Sequence, residues 1–307
     1  MHRAILSQIQ RTAGPVQLMR IYSERGCAII CAFNEGEASP LWVAKIARNA
    51  EAIARLKREH QALSYLAPWA ELLQLPRILV WEECSEDACL IMSGVAGQQM
   101  VLTLSRNASI KTVKHSFGPV VSWLHTFWLK VPPPPPATSV NRLADSLCRR
   151  IAAMEEWRDR MDGVIEVLAR GRPCGDAPPV PVHGDFFSMN VMLSRGELHV
   201  IDWDHFTAGF PLHDLFGFIV NSQYIHARRL CAKTEAYFHV LFSQSPVSRF
   251  LRDQIRQLQV SPEIARFYFY GFLATQVLVE TATPPTEWYP LLEELKRLDY
   301  PGPDPLY

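Results

Sequence analysis

The sequence has no C-x-x-C pair, no apolar run long enough to span a bilayer, no excess of charge of either sign and no G-x-G-x-x-G loop. Each absence removes a class of protein. The cysteines at positions 27, 31, 84, 89, 148, 174 and 231 are odd in number and scattered, which argues against a disulfide framework and against a zinc knuckle. A reducing cytoplasm is the expected location. The oiliest region, Phe267 to Val279, is short for a membrane span and contains Thr275 and Gln276, and the opening MHRAILSQIQRTAG lacks the apolar core of a signal peptide. Neither export nor a transmembrane helix is expected. Lys plus Arg and Asp plus Glu balance at 31 each, so bulk charge points neither to nucleic acid nor to an acidic membrane as a partner. Between the first two apolar runs only Gly26 is available, so a loop that wraps phosphates in backbone N–H groups is not encoded there.

What is present is an ordinary globular composition: 307 residues, 48% hydrophobic and 20% charged. Such a chain buries a large core and divides into two lobes or domains.

The densest chemistry lies in VPVHGDFFSMNVMLSRGELHVIDWDHFTAGFPLHDL, residues 180 to 215. Apolar runs on either side of Ser194-Arg195-Gly196 signal a hairpin. With Arg195 and Gly196 at the turn, residues summing to about 391 or 392 pair, so Asn190 faces Ile201 or Asp202. Asp185 lies one short loop earlier. Asp185, Asn190 and Asp202 form an all-oxygen set, suited to Mg²⁺ carrying phosphate and poorly suited to zinc. Phosphoryl transfer needs such a set, with metal held against the phosphates and one carboxylate beside the attacking hydroxyl, at D-x-x-x-x-N spacing.

Upstream, Leu41 to Ile46 reads as a strand that turns Lys45 to the same face as Val43 and Leu41. An inward Lys needs a partner, and the next segment offers one. Asn49 can cap a helix with Glu51 in its first turn and apolar residues at Ile53, Leu56, Leu63 and Leu66. Glu59 borders that apolar stripe and can reach Lys45. Strands follow at 78–81 and 88–92, then Ser93-Gly94-Val95-Ala96-Gly97. A buried helix spans Ser109 to Lys130, within which His125 is expected as a core histidine. One or two amphipathic helices cover 141–169, and Ser261-Pro262-Glu263 opens a strongly apolar helix.

The elements H-G-D-x-x-x-x-N, I-D-W-D and G-x-P-x-x-D (Gly209, Pro211, Asp214), with W-V-A-K-I around Lys45, resemble the aminoglycoside phosphotransferase and choline kinase group. The resemblance covers roughly residues 40 to 215. It implies a bilobal α/β (α+β) fold of the protein-kinase-like type, with a small β-rich nucleotide-binding lobe over residues 1–93 and a larger helical catalytic and substrate-binding lobe over residues 94–307. It implies ATP or GTP as phosphate donor, Mg²⁺ as cofactor and a small-molecule hydroxyl as acceptor. It gives Asp185 the role of catalytic base, Asn190 and Asp202 those of Mg²⁺ ligands, and places Lys45 on the α and β phosphates, oriented by Glu59. Backbone groups from Met92 to Gly94 would meet the purine ring. His183 is read as architectural, Asp204 as an assistant to Asp202, and Asp214 as a brace for the catalytic loop. Gly184 in place of the Arg of H-R-D, and no activation segment ending in A-P-E, favour a small molecule over a protein as acceptor.

Two other readings stay open at the level of sequence. One is a metal-dependent hydrolase built on His183, His199, His205 and His213 with the neighbouring carboxylates. The other is a nucleotide-binding module without transfer. The sequence leaves the acceptor open among aminoglycosides, other antibiotics, amino alcohols and sugars, since Glu263, Glu280, Glu287, Glu293 and Glu294 alternate with a series of arginines. The oligomeric state is equally open.

Overall fold

The computed structural model describes residues 16–22, 26–100, 109–136, 139–154, 161–173, 177–227 and 244–279. Four of the five C-terminal acidic candidates, Glu280, Glu287, Glu293 and Glu294, fall outside them. The chain forms two compact units, one of Met1–Met100 with Met189–Phe206 and the other of Val101–Ser188 with Thr207–Tyr307.

The first unit is built on a five-stranded antiparallel sheet in the order β1-β2-β3-β5-β4, from β1 (Val16–Tyr22), β2 (Cys27–Asn34), β3 (Trp42–Ala47), β4 (Ile78–Glu83) and β5 (Ala88–Ser93). Strand alternation sends Trp42, Ala44 and Ile46 into one apolar cluster with Ala32, Cys89 and Ile91, and leaves Lys45 on the opposite face. Helix α1 (Ala50–Leu66) packs on β3, β4 and β5 through Ala52, Leu56, Ala62, Leu63 and Leu66, with Glu59 buried among them. Its start is fixed by Asn49, whose carboxamide oxygen accepts from the Ala52 N–H at 2.8 Å. Gly26, at φ +76°, lies so close to Asn49 that an added Cβ would fall 1.9 Å from Nδ2. The lone glycine of the first turn is thus committed to packing on the helix cap.

The unit also holds a three-stranded sheet in the order β6-β8-β9, formed by β6 (Gln98–Gln99), β8 (Val191–Ser194) and β9 (Glu197–Val200). The hairpin pairs Val191 with Val200 and Ser194 with Glu197, a register summing to 391, the lower of the two expected values. Arg195 (φ 51°) and Gly196 (φ 87°) are both left-handed, as a type I′ turn requires. The sequence assigned this hairpin to the helical lobe; here it groups with the sheet unit. The cause is the short strand β6, which pairs Gln98 with Leu193, reinforced by Met100 N–H to Val191 O at 2.8 Å and by Gln99 Nε2 to Met189 O at 3.1 Å.

The second unit is helical, with α2 (Ile110–Lys130), α3 (Val140–Ala152), α4 (Asp162–Arg170), α5 (His213–Ala227), α6 (Pro246–Gln257) and α7 (Pro262–Val279). A two-stranded antiparallel pair, β7 (Val180–Val182) with β10 (Thr207–Gly209), completes it. Phe117 of α2 meets Phe218 of α5 edge-on at 5.6 Å and Phe250 of α6 at 5.6 Å, and Phe186 joins this aromatic core against Trp123 and Phe218. His125 is exposed. The expectation of a core histidine fails because the buried stripe of α2 runs through Val113, Phe117, Val120, Leu124 and Phe127, and one step past Leu124 rotates off it. Among the described residues no helix is long and apolar enough to cross a membrane, and cysteines 27, 31, 89 and 148 are free thiols.

After β5 the chain passes so close to the β2–β3 connection that a Cβ on Gly94 would lie 1.6 Å from the Pro40 carbonyl oxygen. Gly94→Ala is therefore expected to destabilise the protein by about 1–3 kcal/mol, measured as a lower midpoint of urea unfolding. An unchanged midpoint would mean that the approach relaxes without cost.

Candidate active site

Lys45 stands on β3 opposite Ile29 of β2 and Leu90 of β5. Its Nζ donates to both carboxylate oxygens of Glu59 at 2.7 Å and to Asp202 Oδ1 at 2.9 Å. The side chains of Lys45 and Glu59 are 14% and 4% exposed, while that of Asp202 is 34% exposed, so the ion cluster opens to solvent on the Asp202 side. Burial alone would lower the pKa of Lys45; Glu59 and Asp202 outweigh it and raise the pKa, which keeps the side chain cationic. Burial raises the pKa of Glu59 and the Lys45 charge opposes that rise.

Asp202 follows the hairpin at φ +68°, a left-handed conformation that a non-glycine residue holds only where its surroundings fix it. The Ile201 N–H donates to the Asn190 carbonyl at 3.0 Å, so Asn190 and Asp202 sit at one end of the hairpin. They contribute a carboxamide and a carboxylate, hard oxygen donors without His or Cys. Among the described residues no group of three or more His, Cys, Asp or Glu could hold a metal. That donor set fits Mg²⁺, which keeps several waters and takes phosphate oxygens alongside one or two protein ligands. It does not fit a zinc hydrolase. His199 Nδ1 lies 3.2 Å from the Gln74 carbonyl, and His213 is buried edge-on to Phe272, where burial pushes its pKa down to about 4.

Asp204 faces α1, as does Asp202. Only 4% exposed, it accepts from Arg55 Nε at Oδ2 (2.8 Å), and its carbonyl accepts from Arg58 Nε (3.2 Å). Trp203 between the two aspartates is fully buried, its Nε1 donating to Val200 O at 3.0 Å. A cavity of about 90 Å³ is lined by Cys27, Lys45, Arg55, Glu59, Asp202 and Asp204, among others. Sequence reasoning did not find Arg55 and Arg58. Their spacing of i, i+3 and i+4 with Glu59 was the available signal.

In the helical unit, the loop after β7 carries His183, Gly184 and Asp185. The N–H groups of His183 and Gly184 donate to the two carboxylate oxygens of Asp214, at 2.8 Å and 3.1 Å. The Asp185 N–H reaches His183 Nδ1 at 3.3 Å, which places any single ring proton of His183 on Nε2. His183 is completely buried and edge-on to Phe186, and Gly184 holds φ +83°. Asp214, 1% exposed in the first turn of α5, ties the two consecutive residues His183 and Gly184 to that helix. Burial raises its pKa to about 7, with Asp185 adding to the rise and the two N–H donors opposing it. Met92 lies in β5, between Val43 and Ile78. Beyond it, the N–H groups of Ser93 and Gly94 are committed to the carbonyls of Arg77 (2.8 Å) and Leu41 (2.9 Å).

A sequence profile of the phosphotransferase enzyme family matches residues 33–242, and the chain belongs to that family. By class it is a phosphotransferase. Its fold is that of aminoglycoside phosphotransferases of known structure. A thermostable mutant of APH(4)-Ia in ternary complex with ADP and hygromycin B is similar at TM-score 0.62 and 16% identity, over 98% of this chain and 100% of that one. APH(3'')-Id from Streptomyces rimosus is similar at TM-score 0.53 and 19% identity, over 89% and 97%; it has also been solved with ADP and streptomycin. The type VIII aminoglycoside-3'-phosphotransferase is similar at TM-score 0.51 and 20% identity, over 89% and 99%. At these identities the likeness is one of fold. Comparison with curated proteins gave no match.

Lys45→Met removes the cation and leaves Glu59 buried without it, a change expected to cost about 3–5 kcal/mol of stability. Adding Glu59→Leu should recover part of the loss in urea unfolding, and no recovery would mean that Lys45 matters through packing alone. For Asp214 the native pKa lies above the unfolded one, so its stabilisation is fully present below about pH 4 and declines as pH rises toward about 7. The stability difference between the unaltered protein and Asp214→Asn should therefore shrink across that window, by about 1.4 kcal/mol per unit of pKa shift. A difference that grows with pH would mean that the N–H donors, and not burial, set this carboxyl.

Proposed function

We propose that the protein transfers the terminal phosphoryl group of ATP, or of GTP, to a hydroxyl group of a small molecule of the aminoglycoside, amino alcohol or sugar type. The observation that carries this reading is Lys45 Nζ held between Glu59 and Asp202 on a part-open cavity, a cation poised for phosphate oxygens with a carboxylate beside it. The complexes of related folds with ADP, hygromycin B and streptomycin support a nucleotide and a polyhydroxyl acceptor.

In this proposal Lys45 binds the α and β phosphates and Glu59 keeps its ammonium aimed. Asn190 and Asp202 hold Mg²⁺, and the backbone from Met92 to Gly94 borders the purine. Bound Mg²⁺ neutralises charge on the phosphates and orients them. Asp185 accepts the proton of the acceptor hydroxyl as that oxygen attacks, and His183 and Asp214 keep the Asp185 loop in shape. Removal of such a base lowers the rate about 100- to 10,000-fold.

The test is transfer from labelled ATP or GTP with Mg²⁺ across a panel of aminoglycosides, amino alcohols and sugars, beside Asp185→Ala and Asp202→Ala. Transfer to one acceptor class, lost in both variants, is the expected result. Nucleotide binding without transfer to any of them would favour a binding module, and no nucleotide binding would overturn the proposal.

A further inference from the structure

Helix α1 grips the segment after the hairpin at three points. Glu59 reaches it through Lys45 and Asp202; Arg55 holds the Asp204 carboxylate and Arg58 the Asp204 carbonyl. These three helix residues, at i, i+3 and i+4, share one face. The segment they grip begins at Asp202, which is in a left-handed conformation (φ +68°). The buried Asp204 carboxylate is engaged by the helix through one oxygen. Its Oδ2 accepts from Arg55 at 2.8 Å, while Oδ1 has no hydrogen-bond partner among the described residues and lies 3.8 Å from His205 Nε2.

We infer that Arg55 and Asp204 are a positioning pair: their ion pair clamps the 202–204 backbone to α1 and so sets how tightly Asp202 holds Mg²⁺ with nucleotide. The role rests on Asp202 being a Mg²⁺ ligand, as proposed above. Two observations distinguish it from an ordinary surface pair. Asp204 is 4% exposed, so its charge is desolvated and depends on Arg55. The clamp also closes two residues from a strained position, so its loss is transmitted through backbone and not through a flexible side chain. Groups that orient a metal ligand in this way change metal affinity by about 10- to 100-fold when altered.

The test is calorimetric titration with AMP-PNP, with and without Mg²⁺, which yields the factor by which Mg²⁺ tightens nucleotide binding. In Arg55→Gln that factor should fall about tenfold while binding without Mg²⁺ is unchanged, and Arg55→Lys, which keeps the charge, should restore much of it. Arg55→Gln strands a buried carboxylate, so Arg55→Gln/Asp204→Asn is measured too. Without either charge, its melting temperature should recover and its Mg²⁺ factor should stay low. A factor equal to that of the unaltered protein in the double variant, or a parallel loss of binding with and without Mg²⁺, would overturn the positioning role. If the unaltered protein itself shows no tightening by Mg²⁺, the reading of Asp202 as a ligand fails first, and the pair's role with it.

Discussion

The Lys45 ammonium is a charge that the interior tolerates only because Glu59 and Asp202 flank it. Taking an ammonium and a carboxylate out of water costs several kcal/mol for each ion, and apolar side chains at the same positions would fill the space with less penalty. The arrangement is therefore a poor device for stability and a good one for function, since perturbed, buried ionic groups on an open cavity are where chemistry concentrates. Much of the sheet unit serves it. Alternation on β3 aims Lys45 away from the apolar cluster, Asn49 fixes where α1 begins, and the burial of Leu56 and Leu63 fixes which face Glu59 shares.

Helix α1 consequently does two things with one face. Through Glu59 it sets the lysine, and through Arg55 and Arg58 it sets the backbone that carries Asp202. A displacement of the helix would disturb both sets of contacts at once, which couples the Lys45 ammonium to the backbone that carries Asp202. In the helical unit Asp214 plays a parallel part for the 183–185 loop, where two N–H groups converge on one buried carboxylate. The helical unit thus fixes its loop by backbone N–H groups on a buried carboxylate, and the sheet unit fixes residues 202–204 by arginines on the carboxylate and carbonyl of Asp204.

The hairpin register, the Asn49 cap and the Lys45–Glu59 pair were legible in the sequence because each has a local signature: an Arg-Gly turn between alternating runs, a capping residue before an apolar helical period, and a charged residue on an inward face. Other features had no such signature. Strand β6 is two glutamines long, too short for any periodicity, yet it draws the hairpin to the sheet unit. Arg55 and Arg58 look like the solvated face of an amphipathic helix until Asp204, some 149 positions away from Arg55, is folded against them. His125 failed in the opposite direction, since an apolar neighbourhood in sequence placed it one step off the buried stripe.

The measurement that bears most directly on the central claim is binding of adenosine and of AMP-PNP to the unaltered protein and to Lys45→Ala. The two ligands share the purine and ribose and differ in the phosphates, so general loosening of the fold affects them alike. If Lys45 holds phosphate, Lys45→Ala weakens AMP-PNP by at least about tenfold, the scale of a lost charge-assisted hydrogen bond, and leaves adenosine unchanged. Equal weakening of both ligands, or of neither, would contradict that role.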